Sequence, residues 1–125
     1  MRDTVLIVDD SAMMRKIVLR ALSVAGLEFN SVLEAADGNE GLEVLKSNKV
    51  QLIMCDINMP GMNGLDMLRA MRTQNIGAGI PVVMVTTESS AERVREAVAA
   101  GASGYIRKPF SPEQVKLKVI PLLAA

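Results

Sequence analysis

The sequence lacks histidine and tryptophan altogether and contains a single cysteine. Without histidine, the chain has no imidazole base, no histidine metal ligand and no phosphohistidine of its own. The lone Cys55 excludes an internal disulfide and fits a reducing compartment. Because Cys55 ends an apolar run, we expect a small buried side chain rather than a reactive thiol.

Aromatic residues are also scarce, with one tyrosine and two phenylalanines in 125 residues. Half of the residues are nevertheless hydrophobic, so aliphatic side chains and the nine methionines must build the core. We expect the methionines to fill gaps in that core, with a methionine-rich binding surface as the alternative.

Neither an excess of charge of one sign nor a long apolar run is present. Lysine and arginine together number 14, as do aspartate and glutamate, so the net charge gives no argument for binding nucleic acid or an anionic membrane. The apolar runs are too short for a signal peptide or a membrane span. We therefore expect a soluble cytoplasmic protein with one domain over residues 1–125.

Apolar runs and helical periodicities alternate five times along the chain. Residues 5–8, 52–55 and 82–85 are short, unbroken apolar runs, typical of strands buried on both faces of a parallel sheet. Weaker runs at 31–34 and 104–106 predict shorter or edge strands. Five βα units of this length indicate a single doubly wound α/β domain with right-handed connections.

Helix boundaries are marked by capping residues. Three helix starts carry a capping pair: Asp37 with Glu40, Ser89 with Glu92, and Ser111 with Gln114. Gly26 and Gly101 are expected to end the first and fourth helices. Pro121 is expected to break or kink the last helix and so to shorten it.

Polar residues follow the predicted strands at their carboxyl ends, where doubly wound folds place their sites. The strand-end residues are Asp9, Asp10, Asp56, Thr86, Thr87, Lys108 and Pro109. Each has a structural explanation of its own, as a helix cap, a strand-end hydroxyl or a solvated charge. Together they indicate a site, because the fold brings these positions to one edge.

Three carboxylates at one edge should repel each other, by up to about 4 kcal/mol per pair at 4 Å, and raise at least one pKa. Oxygen-only ligands without histidine favour Mg²⁺, and Mg²⁺ held in this way usually accompanies a phosphate. Asp56, central in the sheet, is then the expected nucleophile. Lys108 and Thr86 are expected to contact phosphoryl oxygens.

Four motifs in this order resemble those of response-regulator receiver domains, and the resemblance runs from Thr4 to about Leu123. They are VDDS at 8–11, DINMPGMNG at 56–64, VTT at 85–87 and GASGYIRKPF at 101–110. The resemblance implies a flavodoxin-like five-stranded parallel sheet of order 2-1-3-4-5. It also implies that Asp56 accepts a phosphoryl group from the phosphohistidine of a partner kinase.

The resemblance further implies roles for single residues. Asp10 and Asp56 would bind Mg²⁺ through their side chains, Asn58 through its backbone carbonyl, and Asp9 through a water molecule. The Lys108–Pro109 bond would be cis, which aims the lysine inward. Tyr105 would turn inward when the phosphoryl group draws Thr86 toward it, and this would switch a face around the fifth strand and the fourth and fifth helices.

Within the family the chain is most similar to free-standing chemotaxis regulators, which carry no output domain. Asn58 and Glu88 match positions that tune the reaction there, whereas Thr87 stands where alanine is more usual and would narrow access to the phosphoryl group. The implied partners are a histidine kinase of the CheA type, a downstream target such as the flagellar motor switch protein, and a phosphatase. The protein is expected to act as a monomer.

Several alternatives remain open at this point. Within signalling, the protein could be a phosphorelay shuttle or a regulator of a target other than the motor. A phosphatase of the haloacid-dehalogenase type also uses a strand-end aspartate, but that chemistry needs a second aspartate where Asn58 stands. A flavodoxin-type flavin carrier is disfavoured because Asp9 and Asp10 would repel a phosphate.

Overall fold

A computed structural model describes residues 2–87 and 90–123. Its ten elements alternate strand and helix: β1 (Arg2–Val8), α1 (Ala12–Val24), β2 (Phe29–Ala35), α2 (Gly38–Ser47), β3 (Leu52–Cys55), α3 (Gly64–Thr73), β4 (Val82–Thr86), α4 (Ala91–Ala100), β5 (Gly104–Arg107) and α5 (Pro112–Leu123). The five strands form one parallel sheet in the order β2-β1-β3-β4-β5. The predicted doubly wound fold and strand order are therefore confirmed.

The apolar strands are buried because helices cover both faces of the sheet. Successive residues of a strand point to opposite faces, so Leu6 and Val8 join one core cluster and Val5 and Ile7 join the other. The first cluster packs under α2, α3 and α4, and the second under α1 and α5. This double burial explains why the central strands are unbroken apolar runs instead of alternating ones.

Methionines contribute to the core as predicted. Five of them are buried: Met54, Met59, Met67, Met71 and Met84. Met13, by contrast, is 72% exposed on α1. Cys55 is buried at the end of β3. Burial raises the pKa of its thiol well above the ordinary value, and the adjacent Asp56 carboxylate raises it further, so Cys55 is the inert side chain that was expected.

Two of the three predicted capping pairs lie where expected. Asp37 accepts a hydrogen bond from the Glu40 amide at 2.9 Å and begins α2. Ser111 and Gln114 bond reciprocally at the start of α5, at 2.9 and 3.3 Å. Gly101, with a φ of 106°, ends α4 in the left-handed conformation that favours glycine.

The cap of α4 lies one residue later than the sequence predicts. Ser90 is the residue that caps α4, and its hydroxyl accepts a hydrogen bond from the Arg93 amide at 3.2 Å. Ser89, the predicted cap, lies outside the described residues. Two adjacent serines offer the same capping chemistry, and the backbone at Ser90 has the extended conformation that a cap requires.

The prediction that Pro121 shortens the last helix is wrong, because α5 continues through Pro121 to Leu123. A proline removes one hydrogen bond to the carbonyl four residues earlier, but near a helix end little of the helix depends on that bond. Val115 and Val119, both fully buried, anchor α5 against the sheet.

Candidate functional site

The site begins at the carboxyl end of β1, where the chain turns into α1. The Asp9 carboxylate accepts a hydrogen bond from the Ser11 amide at 2.9 Å and an ion-paired one from Lys108 Nζ at 2.8 Å. Ser11 then caps α1 by accepting a hydrogen bond from the Met14 amide at 3.2 Å. The side chain of Asp9 is thus used to shape the turn as well as to face the site.

Asp56 lies directly after β3, the central strand, and is 7% exposed. One carboxylate oxygen is 3.4 Å from Lys108 Nζ, and the other accepts a long hydrogen bond of 3.4 Å from the Asn58 amide. Thr86, fully buried at the end of β4, adds a side-chain hydrogen bond. The Asp56 carboxylate therefore lies below the surface, at the carboxyl ends of the strands.

Asp9, Asp10 and Asp56 form the acidic cluster of the site, with one carboxylate oxygen from each lying within 4.8 Å of the others. Asp9 and Asp56 are buried, whereas Asp10 is exposed. Hard oxygen donors at this spacing, with one side open to water, suit a divalent cation such as Mg²⁺. The residues present therefore fit the predicted metal, with Lys108 offsetting part of their negative charge.

Lys108 reaches the site from the loop after β5. Its amide donates to the Thr86 carbonyl at 2.8 Å, and the following bond to Pro109 is cis. Its ammonium lies between Asp9 and Asp56, at 2.8 and 3.4 Å. The Lys108 side chain is only 13% exposed, so both ion pairs are largely shielded from water.

The pKa of Asp56 is raised above its ordinary value, chiefly by burial and further by the negative charge of Asp9. Lys108 and the hydrogen bonds from Thr86 and Asn58 act in the opposite direction. The sequence predicts a raised pKa through repulsion among the carboxylates. The repulsion is present, but loss of hydration is the larger cause because the carboxylate lies below the surface.

Asp56→Asn is expected to stabilise the protein in EDTA at neutral pH. The pKa of Asp56 is higher in the folded than in the unfolded chain, so the stability attached to its protonated form is lost as the pH rises through the folded value. The difference in Tm between variant and wild type should therefore grow from near zero at about pH 4 to a few degrees at neutral pH. Thermal unfolding followed by circular dichroism tests this, and a wild type more stable than the variant at neutral pH would contradict it.

Gly64, the first residue of α3, lets that helix approach the end of β3. Its amide donates to the Ile57 carbonyl at 2.9 Å. A Cβ atom at this position would overlap the backbone carbonyl oxygen of Asp56 and lie 2.9 Å from Met84 Cε. The backbone that carries Asp56 is therefore in place only because residue 64 has no side chain.

Gly64→Ala is expected to lower the free energy of unfolding by about 1–3 kcal/mol, since backbone atoms must move to admit the methyl group. Gly104→Ala is the matched control, because its Cβ would meet nothing closer than 3.6 Å. Urea denaturation of both variants gives the comparison. Equal losses of stability would show that the close approach to Asp56 has no special cost.

The remaining predicted site residues lie around this edge with different exposure. Asn58 and Thr87 are exposed, and Tyr105 is partly buried on β5, where it packs against the core cluster under α2, α3 and α4. Glu88 lies outside the described residues. The structure thus places the Lys108 ammonium against both Asp9 and Asp56, and the Thr86 side chain against Asp56. Asp10 lies beside the two other carboxylates.

Sequence reasoning missed three residues that shape the site. Gly64 leaves space for Asp56, and Asn63 caps α3 by accepting a hydrogen bond from the Asp66 amide at 2.9 Å. The Asn63-x-x-Asp66 spacing could have signalled that cap. Arg15, which donates to the Asp9 carbonyl at 2.6 Å, gave no signal, because nothing local marks an arginine that bonds a backbone carbonyl six residues earlier.

Comparison with known proteins identifies the family of the chain. The sequence model of the response regulator receiver domain matches residues 5–120. The chain belongs to this family. As a receiver domain it is a signalling protein of two-component systems. The family therefore favours the signalling hypothesis over the phosphatase and flavin-carrier hypotheses.

Chemotaxis proteins are among the receiver domain's relatives. It is 41% identical over 115 residues to the chemotaxis protein CheY of Pseudomonas aeruginosa, covering 92% of this chain and 91% of that protein. It is 44% identical over 115 residues to CheY1 of Helicobacter pylori J99, covering 91% of each. The chain is therefore a CheY-like response regulator.

A solved structure of a related protein has the same fold. The crystal structure of the chemotaxis protein CheY4 of Vibrio cholerae superposes on the receiver domain with a TM-score of 0.85 at 38% identity, covering 98% of this chain and 100% of that one.

Within residues 2–87 and 90–123, none of the helices has the length and apolar character needed to cross a bilayer.

Proposed function

We propose that this receiver domain accepts a phosphoryl group on Asp56 from the phosphohistidine of a histidine kinase, with Mg²⁺ held at the acidic cluster. The observation that carries the proposal is the convergence of three carboxylates and one ammonium at the strand-end edge. Phosphoryl transfer requires mainly positioning and neutralisation of charge, and this edge supplies both.

In the proposed step, a carboxylate oxygen of Asp56 forms a bond to phosphorus while the bond from phosphorus to the kinase imidazole nitrogen breaks. The imidazole nitrogen keeps the electron pair of the broken bond, and Asp56 becomes an acyl phosphate. Lys108 Nζ, already 3.4 Å from Asp56, would pair with a phosphoryl oxygen, and the Thr86 hydroxyl would donate to another.

Asp10 and Asp56 would hold Mg²⁺ through their side chains, Asn58 through its backbone carbonyl and Asp9 through a water molecule. When bound, Mg²⁺ would neutralise the charge between the carboxylates and the phosphoryl oxygens. The donor set supports this assignment, because the acidic oxygens are hard ligands and Asp10 is open to water.

Phosphorylation would change the protein through Thr86 and Tyr105. β4 and β5 are paired so that Met84 lies opposite Tyr105 and Thr86 lies opposite Arg107. A shift of Thr86 toward the phosphoryl group would free space along this strand pair, into which Tyr105 would turn. The face formed by α4, β5 and α5 would then bind a downstream partner.

We assign the output to chemotaxis, with a CheA-type kinase as donor and the flagellar motor switch protein as target, because the relatives named above are chemotaxis proteins. The matches cover about nine tenths of each of these relatives. We also propose that the receiver domain acts as a monomer in the cytoplasm. A phosphatase that removes the phosphoryl group would complete the cycle. A phosphorelay shuttle remains the alternative output.

Acetyl phosphate labelling tests the phosphoacceptor assignment. Wild-type protein incubated with acetyl phosphate and Mg²⁺ should form an acyl phosphate, and borohydride should reduce residue 56 to homoserine, detectable by peptide mass spectrometry. EDTA should suppress the product. Modification of any other residue, or none in Mg²⁺, would overturn the assignment.

A further inference from the structure

Arg15 joins α1 to both β1 and β2 beside the acidic cluster. Its Nη1 donates to the backbone carbonyl of Asp9 at 2.6 Å, and its Nε donates to a carboxylate oxygen of Glu34 at 2.7 Å. The Arg15 side chain is 17% exposed and that of Glu34 is 51% exposed. The guanidinium is therefore held at two points, one of them on the site itself.

With Arg15 included, every polar atom of Asp9 has a partner. Its amide donates to the Ala35 carbonyl at 3.0 Å, its carbonyl accepts from Arg15, and its two carboxylate oxygens accept from Ser11 and Lys108. The sheet pairing of β1 with β2 ends just before this residue, at Val8 and Ala35. Arg15 thus supplies the donor for the Asp9 carbonyl at the point where the ladder stops.

Asp10 lies in the same turn as Asp9, but the position of its carboxylate is fixed in a different way. Its exposed carboxylate receives no hydrogen bond or ion pair from the residues that the structure describes. Its place near Asp9 and Asp56 is consequently set by the backbone of the β1–α1 turn. That backbone is the part of the site to which Arg15 is bonded.

We propose that Arg15 is a positioning residue for the metal-binding acid pair: by bonding the Asp9 carbonyl, and oriented by Glu34, it fixes the turn from which Asp9 and Asp10 face the cation. This inference rests on the proposed Mg²⁺ site. Partners that orient metal ligands typically affect affinity by about 10- to 100-fold, and the contacts of Arg15 belong to that class.

The direction of the change in Mg²⁺ affinity on removal of Arg15 distinguishes a positioning role from a purely electrostatic one. If Arg15 acted only as a nearby positive charge, its removal would strengthen Mg²⁺ binding, because one repulsive cation would be lost. If Arg15 positions the turn, its removal weakens binding despite that electrostatic gain. The half-exposed ion pair with Glu34 contributes little to global stability, but removal of Arg15 also leaves the carbonyl of buried Asp9 without its donor, so the apo Tm of the variant should fall.

The experiment titrates Arg15→Gln with Mg²⁺ and measures binding by isothermal calorimetry and by the rise of Tm on binding. Acetyl phosphate labelling is a second measurement. Arg15→Gln should bind Mg²⁺ about tenfold more weakly than wild type. Its labelling rate should recover nearly to the wild-type level at saturating Mg²⁺, because the reacting groups are intact. Lys16→Gln, an equal change of charge at the exposed neighbour, should bind at least as tightly as wild type.

Arg15→Lys provides a second variant, since it keeps the positive charge but replaces the planar guanidinium that bonds the Asp9 carbonyl and Glu34 with a single ammonium, and it should weaken Mg²⁺ binding to a smaller extent. If Arg15→Gln failed to fold, Arg15→Lys would decide the matter, because no change of charge accompanies its change of geometry. Unchanged or tighter Mg²⁺ binding in these variants, with normal binding in wild type, would overturn the positioning role. A wild type that binds no Mg²⁺ would instead overturn the metal site, and the inference with it.

Discussion

Asp56→Asn is expected to abolish Mg²⁺-dependent labelling by acetyl phosphate, reducing it by at least about a hundredfold. The amide has no negatively charged oxygen to attack phosphorus, and within the described residues no other carboxylate has the contacts of Asp56 with both Lys108 and Thr86. Labelling is measured by intact-protein mass spectrometry or with radioactive phosphodonor.

Asp66→Asn is the matched control for this experiment. It makes the same chemical change at an exposed aspartate of α3 that pairs with Arg69, so labelling should stay at the wild-type level. An Asp56→Asn protein labelled as well as wild type would refute Asp56 as the acceptor. Loss of labelling in both variants would show that the assay reports overall charge instead of the site.

Asp10→Asn is expected to abolish stabilisation by Mg²⁺. At a concentration of about 100 times the dissociation constant, an ion bound to one site of the folded state stabilises a protein by about 2.7 kcal/mol. Removing a direct ligand should eliminate this gain. In EDTA the same variant should unfold at a slightly higher temperature than wild type, because one of three neighbouring carboxylates becomes neutral.

Thermal unfolding with increasing Mg²⁺ measures both effects at once. Glu43→Gln removes one carboxylate from an exposed position of α2 outside the cluster, and it should keep the wild-type response to Mg²⁺. A normal Mg²⁺-dependent shift in Asp10→Asn would rule out Asp10 as a ligand. A lower Tm of that variant in EDTA would show that the Asp10 charge is favourable in the folded protein.

Much of the fold could be predicted because its determinants are local. An apolar run such as 52–55 matches β3 residue for residue, and Asp37 and Ser111 cap helices as their spacing predicts. Errors occurred where local chemistry was ambiguous. Ser89 and Ser90 could both cap α4, and Pro121 costs a helix less near its end than in its middle.

The set of polar residues that meet at the strand-end edge also followed from the sequence, because parallel strands bring their carboxyl ends to one edge. Asp9, Asp10, Asp56, Thr86 and Lys108 all follow or end strands in the structure. Their roles in phosphoryl transfer, however, remain predictions for the experiments above.

The sequence by itself therefore determined the alternation of strands and helices and the chemical groups at the strand ends. Only the tertiary structure decided how those groups meet. Lys108 pairs with Asp9 across 99 positions of the chain, and burial outweighs repulsion in raising the pKa of Asp56. The reason is physical: periodicity and capping are properties of neighbouring residues, whereas ion pairs, desolvation and the contacts of Arg15 and Gly64 arise only when distant segments pack.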